Sequence, residues 1–198
     1  MSTVAGLATR ERLLAAAREL IEEGGYGSAS VAAIADRADV AAGTIYRHFA
    51  SKAELFVEVF RLVCAREERA MLAAADSLPA GASAVERLEA VLGTFAERAL
   101  ENRRLAWALI AEPVDSLIDA DRLAYRARYT ELIADVLSAG VAAGELPDQN
   151  ARFTAAALVG GCAEALVGPL SPVAGSTVAA AEVVAAIRTF AARAVGAG

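Results

Sequence analysis

Apolar side chains recur three and four positions apart along almost the whole sequence, and this spacing limits the fold more than any other feature. Leu13, Leu14, Ala17, Leu20 and Ile21 form one stripe over 8–23, and Leu55, Phe56, Val59, Phe60 and Val63 form another. A period near 3.6, abundant alanine and scarce β-branched alternation predict helix, with no convincing strand. The punctuation agrees. Gly24 and Gly25 end the first helix. Ser30 caps a short helix over 31–37, another short helix spans 42–48, and Ser51 caps a long one reaching about 76. Glu54 stands at the capping-box position three residues after Ser51. Pro79, Gly81 and Ser83 mark a loop. Helices are then expected over 84–101 and 104–111, with Asn102 between them and Pro113 as the stop. A further helix starts at Asp119 or Ala120 and closes at Gly144 and Pro147. The next starts at Asp148 or Gln149 and ends near Gly168 and Pro169, and Ser176 caps the last, over 177–195. The fold class is therefore all-α, with about nine helices.

The chain has 198 residues, enough for one or two domains with a real core. Its 57% hydrophobic content raises the question of a membrane span. The least charged stretch, 153–182, holds only Glu164 before it reaches Glu182. Gly160, Gly161, Gly168, Pro169, Pro172 and Gly175 are expected to break it, leaving no uninterrupted apolar helix of about 20 residues. The first dozen residues lack the apolar core of a signal peptide, so a cytoplasmic protein with no membrane partner is expected. Two isolated cysteines, Cys64 and Cys162, make neither a disulfide framework nor a zinc site. They read as small buried apolar residues. With one histidine, His48, and no convergent polar set, neither a metal, a cofactor nor a catalytic centre is expected.

The net charge of −6 argues against a chain that coats nucleic acid nonspecifically. Even residues 1–60 carry six basic against eight acidic side chains, a balance of −2. Position is more telling. Between positions 40 and 53 stand Arg47, His48 and Lys52, with no acid. These lie where two short helices, 31–37 and 42–48, are joined by a tight turn at 38–41, the outline of a helix-turn-helix. In such a unit the second helix enters the major groove of double-stranded DNA. Helical spacing turns Ile45 and Phe49 inward with Ile34, Ala35 and Val40. It turns Ala42, Gly43, Tyr46 and Arg47 outward, with Thr44 and His48 at the flank. Tyr46 offers a hydroxyl to a phosphate, and Arg47 suits a phosphate or a guanine edge. Thr44 and His48 can donate to phosphates. Ser30 and Lys52 sit at helix starts, where free N–H groups favour anions. Gly43, costly inside a helix by about 1 kcal/mol against alanine, lets the backbone come close to the groove.

This stretch resembles the TetR family of one-component regulators. The resemblance covers residues 10–60. It rests on Leu13, Leu14, Ala17, Leu20, Gly24, Gly25, Tyr26, Ser30, Val31, Ile34, Ala35, Ala38, Val40, Gly43, Thr44, Ile45, Tyr46, His48, Phe49, Ser51, Lys52 and Leu55. It implies an N-terminal three-helix DNA-binding domain over 1–60 and a helical effector-binding and dimerisation domain over 61–198. It also implies a homodimer that binds a palindromic operator, usually to repress, and is released by a small effector. Phosphate contacts fall by this resemblance on Ser30, Thr44, Tyr46, His48 and Lys52, and base contacts are expected from Ala42, Gly43 and Arg47. Two positions depart from the pattern. Asp39 stands where glycine is usual, in a turn whose left-handed conformation aspartate tolerates better than most residues. Ala41 stands where serine or threonine is common, which removes one cap or phosphate contact.

Beyond residue 60 the last two expected helices are rich in alanine and valine, with Gly160 and Gly161 between. Small residues let helices approach closely, and a helix apolar on most sides must be buried, so the pair reads as a dimer interface, as the resemblance implies, in preference to intramolecular core. Phe95, Trp107, Tyr125, Tyr129 and Phe153 are candidates to line an apolar effector pocket. Arg104, Glu112 and Glu164 are its candidate polar groups. The run at 104–129 has the look of a subgroup signature. The competing readings are a helical ligand carrier or enzyme with a vestigial helix-turn-helix, and a structural dimerisation protein.

Overall fold

The computed structural model describes residues 4–114, 116–173 and 178–196. These form nine α-helices and one short 3₁₀ turn, with no strand among the described residues. In chain order the helices are α1 (Val4–Gly24), α2 (Val31–Arg37), α3 (Ile45–His48), α4 (Lys52–Asp76) and α5 (Ala84–Glu101). They continue with α6 (Arg103–Ile110), α7 (Ser116–Ala142), α8 (Ala151–Leu170) and α9 (Ala180–Ala194); the 3₁₀ turn, Ala42–Thr44, leads directly into α3.

The contacts divide the chain into two compact units. The first comprises Met1–Val63 with Arg104–Arg122, and the second comprises Cys64–Arg103 with Leu123–Gly198. In the first unit the stripes anticipated on α1 and α4 are buried. Leu13, Ala17, Ile34, Ile45 and Leu55 are wholly inaccessible, and Phe49, Phe56, Val59 and Phe60 nearly so. Burying such a side chain stabilises by about 1.5–3 kcal/mol, so this set dominates the unit. In the second unit α5 packs chiefly on α9, with α8 against both. Ser83 and Glu86 form a reciprocal capping box at the start of α5, and these bonds hold the Glu86 carboxyl below the usual range.

Several boundaries differ from the sequence reading. The α1 helix begins at Val4, ahead of position 8, and α7 begins at Ser116, so Asp119 lies in its first turn, where a negative charge suits the helix dipole. The second helix-turn-helix helix is a 3₁₀ turn followed by only four α residues. The expected break in 153–182 falls elsewhere. Gly160, Gly161 and Pro169 all lie inside α8, an unbroken helix of 20 residues and, among the described residues, long and apolar enough to cross a membrane. Glycine costs about 1 kcal/mol in a helix, too little to stop one flanked by alanine and leucine, and Pro169 falls in the last turn. Ser176 lies outside the described residues; α9 starts at Ala180 after Ala179, which makes no side-chain cap.

Candidate DNA-binding site

The Ser30 side chain accepts a hydrogen bond from the Ala33 N–H at 3.1 Å and so caps α2. Its own hydroxyl proton is left to donate outward. The α2 helix closes through Ala38 N–H to Ile34 C=O at 2.9 Å. The turn then passes through Asp39, whose φ of 52° is left-handed, and Val40 N–H returns to Ala35 C=O at 2.9 Å. Ala41 supplies no side-chain cap to the following turn, as its methyl dictates.

The recognition segment shows the sorting expected of it. Ile45 is fully buried and Phe49 is 2% exposed, while Ala42, Gly43, Tyr46 and Arg47 face solvent, Tyr46 at 58%. His48 is half-buried. Apart from its own neighbours along the chain, no atom of the described residues lies within 4 Å of where a Gly43 side chain would begin. The protein's own packing therefore does not require glycine there; the space is open to something outside.

One residue sits differently from the sequence reading, and another gains partners it did not foresee. Thr44 is buried at 9% rather than flanking the open face, and Arg47 folds back one turn to donate from Nη2 to its Oγ1 at 3.2 Å. Lys52 stands in the first turn of α4, as expected, but its ammonium is held against an earlier segment. Its Nζ lies 4.5 Å from the centre of the Tyr26 ring and 5.1 Å from that of Phe56, and it donates to the Tyr26 carbonyl at 3.4 Å. The two rings meet edge-on at 4.5 Å. Burial in this aromatic corner lowers the Lys52 pKa from its ordinary value.

Ion pairs the sequence did not disclose brace this unit. Arg37 at the end of α2 pairs with Glu23 at 2.8 Å and Glu19 at 3.3 Å on α1, which raises the Arg37 pKa and lowers that of Glu23. Arg10 lies over the Phe49 ring at 4.9 Å and pairs with Glu58 at 3.1 Å. Acids that made the N-terminal region look unsuited to DNA are thus partly occupied by arginines.

The residues anticipated for an effector pocket divide between the units. Arg104, Trp107 and Glu112 belong to the first. Arg104 donates to the Gly24 carbonyl at 2.6 Å, and Glu112 accepts from the Tyr26 N–H at 3.1 Å. Trp107 is half-buried. In the second unit Tyr129 stands 6.1 Å from both Phe95 and Tyr125, and its hydroxyl donates to the Cys64 carbonyl at 3.4 Å. Burial there raises the Tyr129 pKa. Phe153 and Glu164 do not join this cluster. Both are exposed, Phe153 at 73%, on the face of α8 opposite its buried Leu158, Cys162 and Leu166. Both cysteines are buried, and burial pushes the Cys162 thiol up to about 11.

Residues 13–59 match the family model for bacterial regulatory proteins of the tetR family, and residues 81–166 match that for a tetracyclin repressor-like C-terminal domain. The chain belongs to the TetR family of transcriptional regulators. Among curated TetR-family relatives, the transcriptional repressor KstR of Mycobacterium tuberculosis is 32% identical over 140 residues, 69% of this chain and 60% of KstR. The matches to KstR of Mycolicibacterium smegmatis and Rhodococcus jostii span 45% and 37% of those proteins. The chain thus spans 60% or less of the length of these repressors. The transcriptional regulator UidR of Escherichia coli is 29% identical, with 76% of each chain covered. The fold is shared with the fatty acid degradation regulator FadR of Bacillus halodurans, at a TM-score of 0.77 and 19% identity over 92% of this chain and 94% of that one. It is also shared with FadR of Bacillus subtilis in complex with stearoyl-CoA, at a TM-score of 0.74 and 22% identity over 95% and 98%.

Proposed function

We propose that this TetR-family chain is a ligand-responsive, DNA-binding repressor that acts as a homodimer on a palindromic operator in the cytoplasm. One observation carries the reading. The recognition segment buries Ile45 and Phe49 and leaves Ala42, Gly43, Tyr46 and Arg47 open, with free space at Gly43 where a helix backbone must approach the groove. Ser30, Tyr46, His48 and Lys52 supply phosphate contacts that fix register, and Thr44 acts through Arg47, the residue placed to read a base edge. The operator-binding domain corresponds to residues 1–60 and the effector and dimerisation domain to 61–198. The uncovered faces of α8 and α9 form the dimer interface.

The effector is a small apolar or amphipathic molecule. Phe95, Tyr125 and Tyr129 offer aromatic surface within the second unit, and a structural neighbour is seen with stearoyl-CoA. Repression agrees with the naming of KstR as a repressor.

The test is binding to the intergenic DNA beside the gene over a range of salt. Affinity is expected to fall steeply as salt rises, and Arg47→Ala to weaken it about tenfold or more, the range of ~1–3 kcal/mol for a base-reading arginine. Footprints should pair two half-sites about 34 Å or more apart. Salt-insensitive binding, or a single asymmetric footprint, overturns the reading.

A further inference from the structure

The turn between α1 and α2 is held by three side chains that do not belong to it. Arg104 donates to the carbonyl of Gly24, Glu112 accepts from the N–H of Tyr26, and Lys52 donates to the carbonyl of Tyr26. Gly25, between them, has a φ of +79°. A side chain there would begin 2.8 Å from Arg104 Nη2 and 2.9 Å from both Glu112 carboxylate oxygens. The two charged groups therefore lie flat against the turn. Glu112 is itself anchored: Arg122 donates to its carbonyl at 2.7 Å and to those of Ala108 and Leu109 at 2.8 Å, satisfying acceptors left open at the end of α6. All these residues lie in the first unit.

We propose that Glu112 is a positioning residue for DNA binding: with Arg104 it sets the Tyr26 ring and carbonyl that hold the Lys52 ammonium at the start of α4. This rests on the DNA-binding reading above. An ammonium has three donors, and Tyr26 takes one. The remaining two are presented from a fixed corner at the positive end of a long helix, so a phosphate meets a cation already oriented. Glu112 touches no DNA in this arrangement, since its carboxylate is spent on the turn.

The experiment selects duplexes from a random pool with the wild-type protein, then measures affinity against salt for variants on the selected duplex. Glu112→Ala is expected to bind about tenfold more weakly, with a salt slope shallower by about one counterion, as for loss of one phosphate contact. Lys52→Ala should behave alike, and the double variant should be no weaker than Lys52→Ala. Glu112→Gln, whose amide oxygen still accepts from Tyr26, should stay within about threefold of wild type. A purely structural role would lower the melting temperature and leave the slope unchanged. Should Glu112→Ala fail to fold, Arg104→Met carries the same expectation. Wild-type slope and affinity in that variant, an unchanged slope in Glu112→Ala, or full additivity with Lys52→Ala overturns the proposal. If the wild type enriches no duplex, the DNA-binding reading falls and this proposal with it. If it does and Glu112→Ala matches it, only this proposal falls.

Discussion

At the scale of single residues, Asp39 shows how a local departure is absorbed. Its φ of 52° places it where an L side chain ordinarily costs about 1–2 kcal/mol, and aspartate is among the few residues that visit this region as single positions. A β-branched side chain has no such tolerance. Asp39→Val is therefore expected to destabilise by about 1–2 kcal/mol or more, whereas Asp39→Gly relieves strain but frees the unfolded chain, effects of similar size and opposite sign. Thermal unfolding of the two variants checks this; a valine variant as stable as the glycine one would refute it. The left-handed turn was legible because it depends on neighbours in sequence. The setting of Lys52 was not. Its position in the first turn of a helix suggests a free cation, and only the folded chain brings Tyr26, 26 residues earlier, under the ammonium. Thr44 was misplaced for a similar reason, since periodicity gives an angle around a helix but not which neighbour folds over it.

At the scale of elements, α8 has two faces. Ala155, Leu158, Cys162, Ala163, Leu166 and Leu170 are buried, while Phe153, Ala156, Ala157, Gly160 and Gly168 are exposed, with two charges among them, Glu164 and Arg152, the latter paired with Glu131 at 2.6 Å. The adjacent glycines differ in what they face. A side chain at Gly161 would begin 3.3 Å from the Phe190 ring of α9, so that glycine lets two helices of one chain approach. At Gly160 nothing among the described residues, other than α8's own neighbouring backbone, lies within 4 Å of the corresponding point. An apolar face that the chain itself leaves open suits the proposed dimer. Gly160→Arg should then leave the chain folded, since replacing a helical glycine by arginine gains helix propensity, and should weaken dimerisation at least 100-fold by sedimentation. A Gly160→Arg protein that remains a full dimer would remove α8 from the interface. The richness of α8 in small residues was plain in the sequence, but its continuity was not. Gly160, Gly161 and Pro169 are weak stops, and packing on α5 and α9 outweighs them.

At the scale of the molecule, the first unit is discontinuous in sequence. The family pattern ends near residue 60 and implies a boundary there. The contacts also bring residues 104–122 into the same compact unit as the helix-turn-helix. The ties are long-range: Arg104 to Gly24 across 80 residues, Glu112 to Tyr26 across 86, and Arg61 to Asp121 across 60 at 3.0 Å. No spacing rule reads such pairs, because hydrophobic periodicity reports one helix at a time. The second segment also contributes buried Leu105, Ala108 and Ile118, and losing even one such large apolar side chain costs about 2–5 kcal/mol. A protein ending at residue 63 keeps every residue of the family's N-terminal pattern and loses these ties together. For a domain of about 60–100 residues each kcal/mol is worth roughly 4–8 °C. The fragment 1–63 is therefore expected to melt at least about 10 °C below the intact chain, with a broadened transition by circular dichroism. It should also bind the selected duplex more weakly than its lost avidity explains, because Lys52 would then rest on an unclamped Tyr26. A fragment that melts as sharply and as high as the intact chain would show that the helix-turn-helix is self-sufficient and that residues 104–122 only lie against it.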